Sequence, residues 1–414
     1  MSIQQNFPAI SPSLSLNFAR SKTLDPRITF TRTSTATRVN GQGLIEVVGA
    51  NTPRFDHSYD PVSGTVKSLG LLIEEQRENL IRYSGIVGTM GTKPTGFQFA
   101  SSIVGQSCEV STDFDIDGNG NCIKHIRGES GDNNVGYTTT IGTLVSGTTY
   151  TFSVYVYIPL SQKNNITSIR FGPDNGYSSV TFGFADLNIT DRWQRVIGSF
   201  VSNGGGGVLC RATASNGAFF YTDAWQLEEG AFPTSYIPTT NSTATRTADN
   251  ASMVGENFSS WYNQSEGTFV TQHRQQDMKD LSVNYGIYSL SNSPTNTERL
   301  RFFSGAGRTP VFNTIVDGST IAYLNAGSSL GVNLSGREGD LLKITTSYSQ
   351  EDAAMVVEKS DVAIDDEDIV TPSLLNNMII GGGGAGLKEL CGHISQFTYY
   401  PRRLTNTQLQ NLTK

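Results

Sequence analysis

The sequence predicts an all-β chain. Two consecutive jelly-roll or β-sandwich domains follow an extended N-terminal segment, and a short helix closes the C-terminus. Three observations predict it. Of 414 residues, 37% are hydrophobic, 16% are charged and 43 are glycine, a profile of short strands and glycine-rich turns rather than of helices or disorder. Apolar residues recur at every second position, most regularly over Tyr150–Ile158. The stretch Tyr221–Arg246 reads as a closing strand and then a linker. Pro233 and Pro238 remove two backbone donors, and Thr239 to Thr243 offer nothing to bury. The chain divides accordingly into an attachment and assembly segment (1–76), a jelly roll (77–238), a linker (239–264) and a second sandwich (265–414).

Composition excludes several functions. A net charge of −7 with no basic face argues against nucleic acid. No apolar run approaches the roughly 18 residues of a membrane span. The N-terminus lacks the basic start and apolar core of a secretory signal. The four cysteines Cys108, Cys122, Cys210 and Cys391 form no CxxC pair. Cys108 and Cys122 could bridge a glycine-rich loop, but free thiols are expected.

Residues 1–76 hold little sustained periodicity. Pro8, Pro12, Pro26, Pro53 and Pro61 punctuate short pieces, and Asn40-Gly41 with Gly43 marks a tight hairpin. So broken a segment cannot build its own core and is expected to lie across another domain or subunit. Its removal should then weaken assembly and leave both sandwiches folded. Leu69 to Ile81 fits a short helix or a strand and turn equally well. Glu74 and Glu75 are adjacent and so point apart, which suits ion pairs with Arg77 or Arg54 better than acid/base work. In the closing strand Phe219, Tyr221, Trp225 and Leu227 share one face, which Asp223 interrupts. Ser34 to Arg38 and Ser242 to Arg246 are identical in sequence and are expected to be two extended, exposed arms.

In the strand Tyr150–Ile158, Tyr150, Phe152, Val154, Val156 and Ile158 form the core face. The other face shows Thr151, Ser153, Tyr155 and Tyr157. Exposed tyrosines beside hydroxyls suit a sugar, whose C–H face matches an aromatic ring; packing under a loop or subunit is the alternative. Trp193 is expected in the core. Asp113-Phe114-Asp115-Ile116-Asp117-Gly118 follows the opening of a calcium loop, with oxygens at positions 1, 3 and 5 for a hard cation. The twelfth position is Lys124 where a bidentate Glu belongs, so the loop is incomplete and a plain acidic turn is the alternative. Asp365 to Asp368 is a further acidic patch. Gly381 to Gly384 lacks the Lys-Ser/Thr of a phosphate loop. Thr405 and Gln408 predict a capping box, stapled by Leu404 and Leu409.

Phe30 to Thr37, Pro53 to His57, and Gly70 to Arg77 with Asn79-Leu80 resemble the N-terminal signature of tailed-phage structural proteins, including tail-fibre-like and prophage proteins. Gln226 to Gly230 and Pro233 to Thr239 resemble the end of the carbohydrate-binding-module-like jelly roll in such proteins. Gly392 to Ile394 and Tyr400 to Leu404 resemble the end of a concanavalin A-like, laminin-G-like sandwich. The resemblance implies a virion component, assembled in the host cytoplasm, often trimeric, contacting other virion proteins and host surface glycans. It supplies no agreed ligand residues.

The expected function is therefore a non-enzymatic virion structural protein, a tail fibre or similar appendage, that binds host glycans. A purely architectural decoration protein and a glycan depolymerase are the alternatives. Against the depolymerase stand the missing long repeats of a β-helix and the lack of a carboxylate or Ser/His/Asp constellation. The four histidines, His57, His125, His273 and His393, read as strand or loop residues. The candidate site residues are Tyr155, Tyr157, Thr151 and Ser153 for carbohydrate, and Asp113, Asp115 and Asp117 for Ca²⁺.

Overall fold

Alternation along the strands builds two sandwiches. The computed structural model describes residues 6–98, 107–128, 134–138, 141, 144–173, 178–205, 207–275, 283–292, 297–305, 307–334, 337, 339–350, 352–358, 360–365, 371–372, 375–382 and 387–414. Gly383, Gly384 and the patch from Asp366 to Asp368 lie outside the described residues.

The first sandwich is the predicted jelly roll. Its six-stranded sheet runs Ser178–Thr181, Trp193–Val201, Thr149–Tyr157, Phe219–Glu229, Cys122–Ile126 and Ser107–Ser111. The facing five-stranded sheet runs Gly183–Phe184, Ile166–Pro173, Val208–Ala214, Asn134–Thr138 and Phe97–Gln98. Phe152, Val154 and Val156 meet Ile169, Phe171 and Cys210 in the core. The strand Phe219–Glu229 departs from simple alternation. A bulge against Ser153–Tyr155 coincides with Ala224 at φ +48°, an unusual conformation for a residue with a Cβ. The extra residue reverses the phase. Phe220 joins Trp225 and Leu227 in the core, while Tyr221 turns to the other face beside Trp193.

The second sandwich is completed by the N-terminal segment. One sheet runs Ala363–Asp365, Ala353–Val357, Leu342–Tyr348, Gly267–Gln275, Gly392–Tyr400, Thr65–Ile73 and Arg54–Asp60, with Leu14–Asn17 also on Gly392–Tyr400. The other begins with Thr29–Thr31 and Asn250–Val254, followed by Asn377–Ile380 and Tyr285–Ser291. Leu14, Leu16, Phe30, Phe55, Leu71 and Ile73 all enter its core. The segment thus lies across another domain, as its lack of a core requires, but as integral strands. Gly70 in its signature sits at φ +105°, where a Cβ would come 2.3 Å from the Ile394 carbonyl oxygen.

Spatial order therefore differs from the consecutive division of the sequence. The jelly roll is inserted into the second sandwich. The chain leaves through Arg77–Asn79 and returns through Ala244–Arg246, which pair antiparallel. The residues between the two sandwiches are strand and buried contact rather than free linker. The repeated Ser-Thr-Ala-Thr-Arg segments are not exposed arms either. Thr37 and Arg246 are buried, and the Thr247 amide donates to Ser34 Oγ at 3.0 Å.

At the C-terminus the helix Asn406–Leu412 carries the predicted capping box of Thr405 and Gln408. Leu404 and Leu409 bury against Ala354 and Val356. All four cysteines are buried and free, and Trp193 is buried.

Candidate functional site

The bulge at Ala224 assembles a carboxylate cluster. It directs Asp223, fully buried, toward the loop that follows Ser107–Ser111. There Asp115, Asp117 and Asp223 bring carboxylate oxygens within 4.8 Å of one another. Glycine-rich turns fold the loop: Asp115 accepts from the amides of Asp117, Gly118 and Gly120 at 3.0, 2.7 and 2.9 Å. Asp117 accepts from the Asn119 amide at 3.1 Å. Burial, with Asp115 close by, pushes the Asp117 carboxyl up to about 6. Burial and the neighbouring Asp117 push Asp223 well above the ordinary range. No arginine or lysine pairs with the three among the described residues. Like charges this close in a low dielectric call for protons or a cation. An all-oxygen set suits a hard divalent ion such as Ca²⁺.

Two of the three predicted ligands are thus brought together. Asp113 is the correction: its carboxylate accepts from the Tyr221 hydroxyl at 2.8 Å and stands outside the cluster. Asp223 takes its place. Its signal in the sequence is a charge interrupting an otherwise apolar strand face.

The outward face of Thr149–Tyr157 is also corrected. Thr151 and Ser153 are each 1% exposed. Thr151 donates to the Gly230 carbonyl at 2.8 Å, and Ser153 accepts from Arg195 at 2.8 Å. The Arg195 guanidinium lies 5.8 Å from the Tyr155 ring centre. Tyr157 stacks on Phe114 with ring centres 3.9 Å apart. Ile45, Ile116 and Tyr236 pack on the same side, so the N-terminal hairpin and the acidic loop cover this face. Period-2 reading places these side chains on one face but not what lies over it.

The motif residues meet in a buried hub between the sandwiches. Arg32, Arg54 and Arg246 are at most 1% exposed and converge on Glu74 and Asp249. Arg54 donates to Glu74 at 2.8 Å, to Ser235 Oγ at 2.7 Å and also to Asp249. Arg246 reaches Glu74 at 3.0 Å and Thr234 Oγ1 at 3.0 Å. Burial alone would raise the Glu74 carboxyl. Arg246, Arg54 and Ser235 more than offset that and hold it well below the usual carboxylate range. Glu75 pairs with Arg77 at 2.5 Å, so both expected ion pairs form. Asn79 ties the closing strand to the following loop, donating to the carbonyls of Trp225 and Ile237 at 3.1 and 2.9 Å. These residues are scaffold. Beside them a cleft of about 480 Å³ opens between the sandwiches, lined by Arg77, Glu229, Phe232, Tyr285 and Lys388.

The histidines are structural in placement. His125 and His273 are buried, which pushes each down to about 3 and keeps it neutral. His393 meets Asp56 at 2.8 Å, and His57 meets the Val39 carbonyl at 3.1 Å.

No family model matches the sequence, and no curated protein matches it. Among solved structures, CBM40 of the Ruminococcus gnavus IT-sialidase, bound to α2,6-sialyllactose, is 13% identical. It aligns with a TM-score of 0.32 over 37% of this chain and 85% of its own. The NanB sialidase of Streptococcus pneumoniae is 11% identical, with a TM-score of 0.31 over 38% of this chain and 26% of its own. A heptameric SAP-like pentraxin of Limulus polyphemus is 13% identical, with a TM-score of 0.27 over 36% of this chain and 70% of its own. Likeness at that level assigns nothing to this chain, whose function has to be read from its own surface.

Proposed function

We propose that this chain is a non-enzymatic structural protein of a phage particle, a tail fibre or similar appendage, that binds host surface glycans through its jelly roll. One observation carries the glycan reading. The five-stranded sheet exposes Phe182 and Phe184, at 37% and 61%, on the outer side of its edge, whereas the tyrosine face of the other sheet is covered. Exposed phenyl rings offer the apolar surface that a sugar's C–H face needs. The virion assignment draws its support from the resemblance of the N-terminal motifs. The buried hub formed by those motifs would make the two sandwiches one stiff unit, which suits an appendage. A Ca²⁺ ion held by Asp115, Asp117 and Asp223 would stabilise the jelly roll, and three copies of the chain would raise the avidity of weak sites.

Binding of the purified chain to an array of bacterial surface glycans tests the reading. Phe184→Ala should weaken binding by about tenfold, the scale of one buried phenyl ring, with unchanged melting. If the wild type binds no glycan, the architectural reading replaces this one, which the covered tyrosine face already favours.

A further inference from the structure

We propose that the glycan bound by this chain is acidic, and that Arg170 and Arg211 hold its carboxylate on the outer face of the five-stranded sheet. The inference rests on the glycan-binding reading and adds the ligand class and the site.

The residues follow from register. Ile169, Phe171, Cys210 and Ala212 point into the core, so Arg170 and Arg211 point outward. Arg170 and Arg211 are direct cross-strand partners, and Phe184 is the partner of Arg170 on its other side. Phe184, Arg170 and Arg211 therefore form one row across three adjacent strands, about 10 Å long at the ordinary strand spacing. The ring of Phe182 lies over Gly172, and the Arg170 guanidinium sits 4.5 Å from its centre. That contact holds Arg170 in place.

Among the described residues, no carboxylate offsets the repulsion within the arginine pair. Like charges directly opposite on neighbouring strands destabilise a sheet. The arginines of the buried hub, by contrast, are neutralised: Arg54 by Glu74 and Asp249, Arg32 by Asp249, and Arg246 by Glu74. Among the described residues, Arg170 and Arg211 have no carboxylate partner, and Arg211 Nε is shielded without an acceptor. Two half-buried forks beside an exposed phenyl ring match a carboxylate attached to a sugar. The guanidinium groups take the oxygens, bidentate where geometry allows, and Phe184 takes the adjoining ring face. A neutral sugar would bring no counter-charge to either arginine.

The test uses the full-length protein on sialyl-, glucuronyl- and galacturonyl-oligosaccharides, on the carboxyl-reduced form of each, and on neutral glycans. At least one carboxylated sugar should bind, and its reduced form should bind about 10- to 100-fold more weakly. Arg170→Gln and Arg211→Gln should each remove that preference without shifting the melting temperature. Arg170→Lys and Arg211→Lys keep the charge but lose the fork, so they should retain part of it; they decide the matter if a glutamine variant fails to fold. Equal binding of carboxylated and reduced sugars overturns the inference and leaves the glycan reading standing. So does acidic-sugar binding that no arginine variant changes. Failure to bind any saccharide overturns both.

Discussion

Asp223 shows how one residue links backbone irregularity to chemistry. A left-handed Ala224 places its carboxylate, buried, against Asp115 and Asp117. With Ca²⁺ bound, stability gains about 2.7 kcal/mol at a hundredfold excess over Kd. Melting should rise by several degrees in calcium over chelator, and Asp223→Asn should abolish the rise. A wild type with no response to millimolar calcium would reject the ion. The pH dependence has a definite sign. The Asp117 carboxyl, pushed up to about 6 from 3.8, favours the folded state when protonated. In chelator its stabilisation is full below the ordinary value and is lost as pH rises through 6. Protons and calcium compete for it, so the calcium-induced rise should shrink as pH falls through 6. His273 acts in the opposite sense. Its imidazole is held down to about 3 by burial, so the unfolded chain takes up the proton first and stability falls from pH 6.5 toward 3. Both ring nitrogens lack partners among the described residues. His273→Leu should therefore be at least as stable at pH 7, with its advantage over wild type widening in acid; a constant difference across that range would contradict this.

At the scale of elements, the hub and the inserted jelly roll carry the energetics. Glu74 serves Arg54, Arg246 and Ser235 at once. Removing one partner of a buried pair costs about 3–5 kcal/mol, because it leaves uncompensated charge. Glu74→Gln should lower the melting temperature strongly, while Glu78→Gln, exposed on the strand Arg77–Asn79 close by, should not; equal, small effects would show the hub to be solvated. Deleting residues 1–76 removes Leu14–Asn17, Thr29–Thr31, Arg54–Asp60 and Thr65–Ile73 from the second sandwich. That deletion should unfold it, contrary to what the sequence alone suggests. Much of this level was legible. The best strand, the capping box, the ion pairs of Glu74 and Glu75 and the free thiols all depend on local pattern or short-range chemistry. The insertion was not, because Leu14 pairs with Tyr399 and Phe30 with Ala251 across hundreds of residues. Nor was the cover over Tyr155 and Tyr157, since alternation defines a face without naming its neighbour. Asp223 was half legible: its clash with an apolar face was visible, but the bulge that explains it was not.

At the scale of the whole molecule, the jelly roll leaves Phe182 and Phe184 exposed on the outer face of the five-stranded sheet, while the corresponding face of the six-stranded sheet is covered. A trimer would let several weak sites engage one surface together. Sedimentation at micromolar concentration should give a trimer, and a clean monomer would remove avidity from the account. The central claim is that the protein binds host glycans and leaves them intact. The most direct measurement incubates the purified full-length chain with host cells and with a mutant lacking surface polysaccharide, and follows both binding and the release of reducing sugar. The account predicts binding to the first cells only, with no new reducing ends. Equal binding to both cells, or reducing sugar released in step with bound protein, would contradict it.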